Sequence, residues 1–460
     1  MNETVLKENK MGVLPVGKLL ANMAIPMMIS MLVQAFYNIV DSIFVSRISE
    51  NALTAVSLAF PLQSLLIAVG AGTAVGMNAL LSRSLGEKRQ DLVDRAANTG
   101  LFLFLCSYVV FALIGLFLTG PFFRMQTNVA EIVDYGTDYA TICLGLSVGL
   151  FCQFCFERLL QSTGRTSLAM LAQIIGAVTN IILDPIFIFG LLGMPRMGVK
   201  GAAVATVTGQ MLSAVAAILM NLKKNPEVHL RLRLIRFDRK IALEIYRVGL
   251  PSIIMQSIGS VMTFGMNKIL IAFSTTATAV FGAYFKLHSF VFMPIFGLNN
   301  GMVPIIAYNY GAAKPDRVKR TVRLAICTAM CVMCAGWLVF ELAPGLLLSL
   351  FDASEHMMAI GIPALRTISF HFLFAGFCIV SGSVCQAIGN PVYSLITSVC
   401  RQLVVLLPVA WLLAQTGRLE LVWLSFPIAE IVSFLLSAVF LRKSMAMANA
   451  SMAARQEAQA

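Results

Sequence analysis

Charged residues are scarce in this chain, and their scarcity decides its class. Only 12% of the 460 residues are Asp, Glu, Lys or Arg, whereas 58% are hydrophobic and the mean hydropathy is +0.83. A soluble domain carries about a quarter charged residues. The composition therefore excludes an ordinary soluble protein and predicts an all-α integral membrane protein. We expect no cleavable signal, because the first residues are polar and the first apolar run is too long for one.

Residues that commonly bind metals or carry out catalysis are also few. The four His residues form no metal-spaced motif, and the ten Cys residues are scattered mainly through apolar runs. Cys152-x-x-Cys155 and Cys331-x-x-Cys334 have metal-like spacing, but each lacks a second pair or a nearby His. We interpret these Cys residues as packing side chains and expect no cofactor and no enzymatic activity. A membrane-embedded enzyme is kept only as a remote alternative.

The net charge of +12 follows the membrane topology rather than a nucleic-acid surface. Of the Lys and Arg residues, 25 fall in alternate connections that share a side with both termini, and five fall on the other side. We expect the protein to lie in the cell's inner (plasma) membrane. The positive-inside rule then places both termini in the cytoplasm. This division uses twelve predicted spans near 17–45, 52–81, 96–118, 132–156, 167–189, 201–220, 248–273, 277–308, 324–343, 357–381, 393–413 and 420–440.

The second half of the chain repeats the first at a constant offset. Pro26 corresponds to Pro251, and Gln161 corresponds to Gln386. The same offset relates the motifs Gly72-x-x-x-Gly76 and Gly297-x-x-x-Gly301, which we interpret as close helix contacts. The repeat predicts two pseudo-symmetric six-helix bundles. We predict an N-terminal lobe over 1–221, a basic cytoplasmic linker over 222–247, a C-terminal lobe over 248–443 and a cytoplasmic tail over 444–460.

Two acids interrupt the apolar spans of the first half. Asp41 shares one helix face with Tyr37, and Asp184 shares one with Asn180, since each pair is four residues apart. A carboxylate in the middle of a membrane helix costs about 2.5–3.5 kcal/mol on insertion scales, and such residues usually have a function. In the second half Asp41 corresponds to Met266 or Asn267, and Asp184 has an apolar counterpart near Pro408, so the second half lacks both acids. The function is therefore predicted to reside in the first half.

Topology places further polar groups at the depth of these acids. Counted from their span ends, Thr206 and Tyr139 lie about as deep in the outer half of the membrane as Asp41 and Asp184. No basic residue of the first half's spans lies at this depth. Two carboxylates close together in a low dielectric cannot both stay ionised without a cation. The site is predicted to take up H⁺ or to bind Na⁺, and the sequence does not choose between them.

Three motifs and the duplication resemble those of the multidrug and toxic compound extrusion (MATE) family. The motifs are Phe36–Asp41, Leu183–Ile188 and Gly198–Thr206, and the resemblance runs from about residue 15 to 443. Residues 157–170 resemble the DinF branch and its MepA-like bacterial pumps. The resemblance implies a V-shaped pair of bundles that exports cationic drugs in exchange for H⁺ or Na⁺. It also implies a first-lobe cation site at Asp41, Asn180, Asp184 and Thr206, with Tyr37 and Tyr139 beside it.

Some members of that family carry further acids in the seventh and eighth spans. This chain has Asn267, Lys268, Lys286 and His288 there, so no second-lobe ion site is expected. Arg401 and Glu430, both near mid-depth, are interpreted as a structural ion pair, with Lys286 as a candidate third member.

The function predicted from these features is secondary active multidrug efflux of cationic amphipathic compounds, by a monomer in contact with membrane lipid. Pro26 is a candidate hinge, because a proline removes one backbone hydrogen bond of its helix. Glu157 is a candidate contact for substrates arriving from inside the cell. The alternative is a flippase for lipid-linked oligosaccharides, whose cavity should present Arg or Lys to a pyrophosphate.

Overall fold

The computed structural model describes residues 9–231, 235–351 and 353–457, and these residues form helices and connecting turns without a β-strand. The α-helices are α1 Lys10–Val13, α2 Val16–Ser46, α3 Glu50–Gly86, α4 Gln90–Phe117, α5 Thr119–Gln126, α6 Ala130–Gly145, α7 Val148–Ser162, α8 Thr166–Phe189, α9 Val199–Lys224, α10 Arg239–Ile271, α11 Thr275–Gly311, α12 Pro315–Leu342, α13 Pro344–Ser349, α14 Glu355–Ser369, α15 Phe372–Ile388, α16 Pro391–Val399, α17 Leu407–Ala414, α18 Leu419–Val422 and α19 Ser425–Glu457. A π-helical segment, Cys400–Leu406, joins α16 to α17.

The helix bounds reproduce the sequence repeat. Helix α3 at Glu50–Gly86 and α11 at Thr275–Gly311 have equal length and are separated by the offset that relates Pro26 to Pro251, as are α4 and α12. Within the described residues, ten helices are long and apolar enough to cross a membrane, and two bent helix pairs bring the number to as many as twelve. The fold is therefore the predicted all-helical membrane architecture with two repeated halves. We refer to α1–α9 as the first half and to α10–α19 as the second half.

Three irregularities in the spans were not predicted from the sequence. The fourth span bends by 42° between α6 and α7, and the tenth bends by 47° between α14 and α15. At the first bend the Ser147 hydroxyl donates to the Leu144 carbonyl at 2.7 Å. The same carbonyl also accepts from the Ser147 backbone N–H at 3.2 Å, so Ser147 closes the end of α6. The eleventh span contains the π-helical segment.

Helix α10 begins at Arg239, inside the predicted linker, and α19 continues as a helix to Glu457.

Pro26 lies inside α2, which is continuous from Val16 to Ser46. A proline has no N–H to give to the carbonyl four residues earlier, here that of Asn22. That carbonyl instead accepts a hydrogen bond from the Thr166 hydroxyl at 3.4 Å. The proline thus provides a contact between α2 and the start of α8. Its role as a hinge stays a prediction.

The two halves meet through glycines on α3 and α11. Gly72 and Gly76 of α3 lie against α10, and Gly297 and Gly301 of α11 lie against α2. A methyl group added at Gly76 would stand 2.0 Å from the Ile245 carbonyl oxygen. The backbones therefore approach at a distance that no other residue allows, as expected for small-residue helix contacts in membranes.

Each half also contributes the start of its first long helix to the core of the other. Met23 and Ala24 of α2 pack in the second half's core, while Ile241 and Ile245 of α10 pack in the first half's core. The two halves are thus joined by exchanged apolar contacts at this end of the molecule.

Both ends of the described chain, near Asn9 and Arg455, lie at this same joined end. The Asn309 side chain of α11 donates to the Met11 carbonyl at 3.0 Å, and Asn9 donates to the Thr163 carbonyl of the first half at 3.1 Å. Arg455 in α19 reaches Glu87 of the first half at 3.2 Å. We call this end of the molecule the terminal end.

Candidate functional site

A cavity of about 1090 Å³ lies between the two halves. Amide side chains line much of it, from both halves: Gln34, Asn38, Gln63, Gln153, Gln173, Asn180, Gln210, Gln256, Asn299, Gln386 and Gln402. Aromatic and thioether side chains supply apolar surface, including Phe60, Phe154, Met255, Met293 and Phe296. Neutral amides beside adaptable apolar groups suit ligands of varied shape.

Asp41 and Asp184 lie next to each other at the first half's side of this cavity. Helix α2 carries Asp41 one turn before its end, and α8 carries Asp184 before Pro185. The two carboxyl groups lie within hydrogen-bonding reach of each other. Asp184 is fully buried, whereas Asp41 lines the cavity. Asp41 Oδ1 is shielded from solvent and accepts no hydrogen bond from the described residues.

Asn180 and Thr206 continue the polar cluster from α8 to α9. With its amide oriented to satisfy both ends, Asn180 donates to Asp184 Oδ2 at 2.9 Å and accepts from the Thr206 hydroxyl at 3.3 Å and its backbone N–H at 3.1 Å. Asn180 is 2% exposed and Thr206 is 7% exposed. Because buried polar groups are costly when unpaired, this network fixes the direction in which Asp184 presents its oxygens.

Two tyrosines complete the cluster. The Tyr37 side chain lies beside that of Thr206, which brings α2 next to α9. Tyr139 of α6 is 2% exposed, and its hydroxyl accepts a hydrogen bond from Gln63 of α3 at 3.0 Å. The six predicted residues are thus neighbours, drawn from four helices. The sequence argument missed Gln63 and the adjacent thiol of Cys143, although Gln63 is a large polar residue in an apolar span.

Within the described part of the chain, no Lys, Arg or His neutralises the two acids. Among residues 9–231, 235–351 and 353–457, the Lys, Arg and His ion pairs involve other carboxylates. The same residues contain no cluster of three or more His, Cys, Asp or Glu side chains that would hold a transition metal. The carboxylate, amide and hydroxyl oxygens present suit H⁺ or a hard monovalent cation such as Na⁺.

Glu157 lies in the cavity wall on α7, nearer the terminal end. It is 6% exposed, and its Oε1 accepts from Gln153 at 2.9 Å and from Ser213 at 3.4 Å. The adjacent Arg158 does not pair with it; its Nη1 donates to Gln161 at 2.7 Å and to Asn300 of the second half at 2.9 Å. Glu157 therefore presents a second acid to the cavity, while Arg158 joins the two halves beneath it.

The second half contains an ion pair between its eleventh and twelfth spans. Arg401 Nη1 lies 3.4 Å from Glu430 Oε1, as the sequence analysis expected. Lys286 is not part of this pair, since its ammonium group lies over the ring of Phe351. The two halves are thus chemically different despite their similar folds.

Two repeated helical halves around a polar cavity, with acids in the cavity wall, define a membrane transporter. Comparison with known proteins agrees. The family model described as MatE matches residues 26–186 and 251–412, so both halves are matched. The chain belongs to the MATE family of multidrug efflux transporters, as the motifs predicted.

Similar proteins are found over nearly the whole chain. The probable multidrug resistance protein YoeA of Bacillus subtilis is 26% identical over 420 residues, covering 90% of each chain. The multidrug export protein MepA of Staphylococcus haemolyticus is 26% identical over 417 residues, covering 90% of this chain and 91% of that one. A FAD transporter of Shewanella oneidensis is 24% identical over 437 residues, covering 91% and 92%.

Among solved structures, an outward-facing multidrug resistance MATE family transporter superposes with a TM-score of 0.91. It is 28% identical and covers 97% of this chain and 99% of that one. These similar proteins are transporters, which agrees with the expectation of a non-enzymatic function.

Proposed function

We propose that this chain is a secondary active exporter of cationic amphipathic compounds, driven by H⁺ or Na⁺ that binds at Asp41 and Asp184. One observation carries the proposal: the Asp41 carboxyl in the cavity wall lies against the buried Asp184 carboxyl, without an ion-paired Lys or Arg among the described residues. Such a pair requires a mobile positive partner. A coupling ion and a cationic substrate can satisfy that requirement in turn.

The proposed mechanism is competition between two cations for one site. Binding of the coupling ion neutralises the acids and releases the substrate, and loss of the ion restores their charge. A ligand shifts the balance between two conformations only through its different affinity for them. Ion and substrate therefore drive alternation by stabilising different arrangements of the halves.

The orientation and boundaries follow from the distribution of charge and from the repeat. We place the protein in the plasma membrane with both termini in the cytoplasm, because Lys and Arg residues are concentrated on that side. The terminal end, where the halves are joined, is then cytoplasmic, and the cavity faces outward. We retain the lobes 1–221 and 248–443 as the units that move. Glu157 would be the acid that a substrate meets first from inside.

The number of coupling ions has an energetic consequence. Moving one positive charge outward against 100 mV costs about 2.3 kcal/mol. Exchange of a monovalent substrate for one H⁺ is electroneutral and uses only the pH gradient. Exchange for two, one per carboxylate, also draws on the membrane potential.

The test is transport of tetramethylrhodamine methyl ester, a cationic dye, by the full-length chain in proteoliposomes with the membrane potential clamped. Imposed proton or sodium gradients are applied separately, and the one that drives dye accumulation identifies the coupling ion. Asp41→Asn and Asp184→Asn are expected to reduce driven accumulation at least about tenfold, since each removes a charge of the pair. Wild-type accumulation by Asp41→Asn would overturn the proposal.

A matched control is available in α6. Asp138 is an exposed acid that pairs with Lys200 at 3.1 Å and lies outside the cavity. Asp138→Asn removes the same charge and is expected to keep wild-type accumulation. A loss as large in this variant would show that charge in general, rather than the proposed site, controls transport.

A further inference from the structure

Arg401 is the charged residue that the second half presents to the cavity. It lies in the π-helical segment Cys400–Leu406 and is among the residues that line the cavity. π-Helical turns are rare and are often found at functional sites. A charged side chain at this depth in a membrane is costly and is rarely retained without a role.

Glu430 pairs with Arg401 but, among the described residues, leaves most N–H donors of the guanidinium without an acceptor. The distances from Nη1 to the two Glu430 oxygens are 3.4 and 3.5 Å. Both exceed the roughly 2.7–2.9 Å of a strong charge-assisted bond. Glu430 is 3% exposed and does not line the cavity, whereas the Arg401 side chain is 27% exposed, so the acid lies behind the arginine. Among the described residues only Nη1 of Arg401 has an acceptor, although the group carries five N–H donors.

Two serines of the second half line the same cavity as Arg401. Ser433 lines the cavity, and its buried hydroxyl has no partner among the described residues. Ser398 also lines the cavity and accepts from Gln402 at 3.0 Å, which leaves its own O–H free to donate. The acids among the lining residues, Asp41 and Glu157, both belong to the first half. The described wall of the second half is thus rich in donors and carries no competing carboxylate.

We propose that Arg401, with Ser433 and Ser398, binds a carboxylate group of the substrate. This inference rests on the proposed function and extends it: the chain accepts amphipathic substrates that carry a carboxylate as well as a cationic group. The cationic group binds at Asp41 in the first half, and the carboxylate binds across the cavity at Arg401. A guanidinium is suited to this role, because its planar fork can hold both oxygens of a carboxylate.

Two dyes that differ by one ester test the subsite. Tetramethylrhodamine is a zwitterion with a free carboxylate, and its methyl ester carries the same cationic ring system without the acid. Binding of each dye to the purified full-length chain is measured by fluorescence anisotropy. Removal of Arg401 alone would leave Glu430 buried and uncompensated. The informative variant is therefore Arg401→Gln combined with Glu430→Gln, next to Arg401→Lys and the exposed control Arg418→Gln.

The inference predicts a selective effect. The double variant should bind the free acid at least about tenfold more weakly than wild type, since a hydrogen-bonded charge is lost. The affinity of the double variant for the methyl ester should stay within about twofold of the wild-type affinity. Arg401→Lys should give an intermediate loss for the acid, and Arg418→Gln should change neither dye.

Two results would overturn the subsite. Either wild type binds the ester but not the acid, or the double variant changes both affinities by the same factor. Both leave the proposed function in place, because the cationic ester still binds. If wild type binds neither dye, the proposed function fails together with the subsite.

Discussion

The closed terminal end depends on glycine at position 76, and Gly76→Ala is the sharpest test of that interface. Gly76 on α3 faces the backbone of α10, where an added methyl group would lie 2.0 Å from the Ile245 carbonyl oxygen and 3.0 Å from the Gly249 nitrogen. Ordinary contacts of such a carbon begin at 3.4 Å. The two helices must therefore separate locally until the methyl group and the carbonyl oxygen reach ordinary contact, because a packed interface has no spare room.

The energetic effect follows from two opposed terms. Overpacking a close interface costs about 1–3 kcal/mol. Alanine in place of glycine within a helix returns about 0.5–1 kcal/mol. The net cost applies only where α3 meets α10, so the substitution should disfavour the closed arrangement by up to about 2.5 kcal/mol, or by a factor of up to about seventy in its population.

Hydrogen–deuterium exchange of the protein in nanodiscs measures this shift. Gly76→Ala should raise deuterium uptake in the first turns of α10, from Arg239 to Gly249. Gly282→Ala is the matched control, because it lies in α11, where an added methyl group meets nothing within 4 Å. Uptake in Gly76→Ala equal to that of wild type, at equal thermal stability, would refute the description of this interface.

Three further substitutions test other parts of the account. Thr206→Val should lower the apparent affinity for the coupling ion about 5- to 30-fold in dye transport, because buried hydrogen bonds are lost, whereas Thr206→Ser should retain it. Pro26→Ala should slow turnover by up to about tenfold at unchanged KM, since it restores an N–H that stiffens α2; equal turnover would identify a static kink. Asp238→Ala should lower the free energy of unfolding by about 1 kcal/mol through loss of the α10 N-cap, while Asp238→Asn keeps the cap and changes stability less. A hydrogen bond from Arg95 lowers the pKa of Asp238. The stability difference between wild type and Asp238→Asn, which isolates the charge, should therefore be present at neutral pH and be lost as pH falls below about 4 through the lowered pKa of Asp238. A difference that is independent of pH in thermal melts would contradict this assignment.

Much of the architecture could be predicted because the membrane imposes it. Span length and charge placement follow from the bilayer. The internal repeat predicted that the halves would share helix bounds, as α3 and α11 do. The same rules could not predict the helix bends at Ser147 and His371. Neither position carries a proline, and each bend is maintained by local carbonyl bonding and by packing between helices.

The candidate site, like the fold, could be predicted from the sequence only in part. Counting residues from span ends gives depth, and depth placed Asp41 and Asp184 at one level. It does not give the rotation of a helix about its axis. Gln63 was therefore missed, because only the packing of α3 against α6 shows that it meets Tyr139. Arg401 was predicted to pair with Glu430, but its position on the cavity wall depends on the π-helical turn that contains it.

The central claim is that Asp41 and Asp184 are the groups that take up the coupling ion. Infrared difference spectroscopy of the purified protein tests it most directly, by recording the carboxyl bands as pH or sodium concentration is changed. Wild type should show a carboxyl response to one of the two ions, and the double variant Asp41→Asn with Asp184→Asn should lose it. The same response in the double variant, or no response to either ion in wild type, would contradict the account.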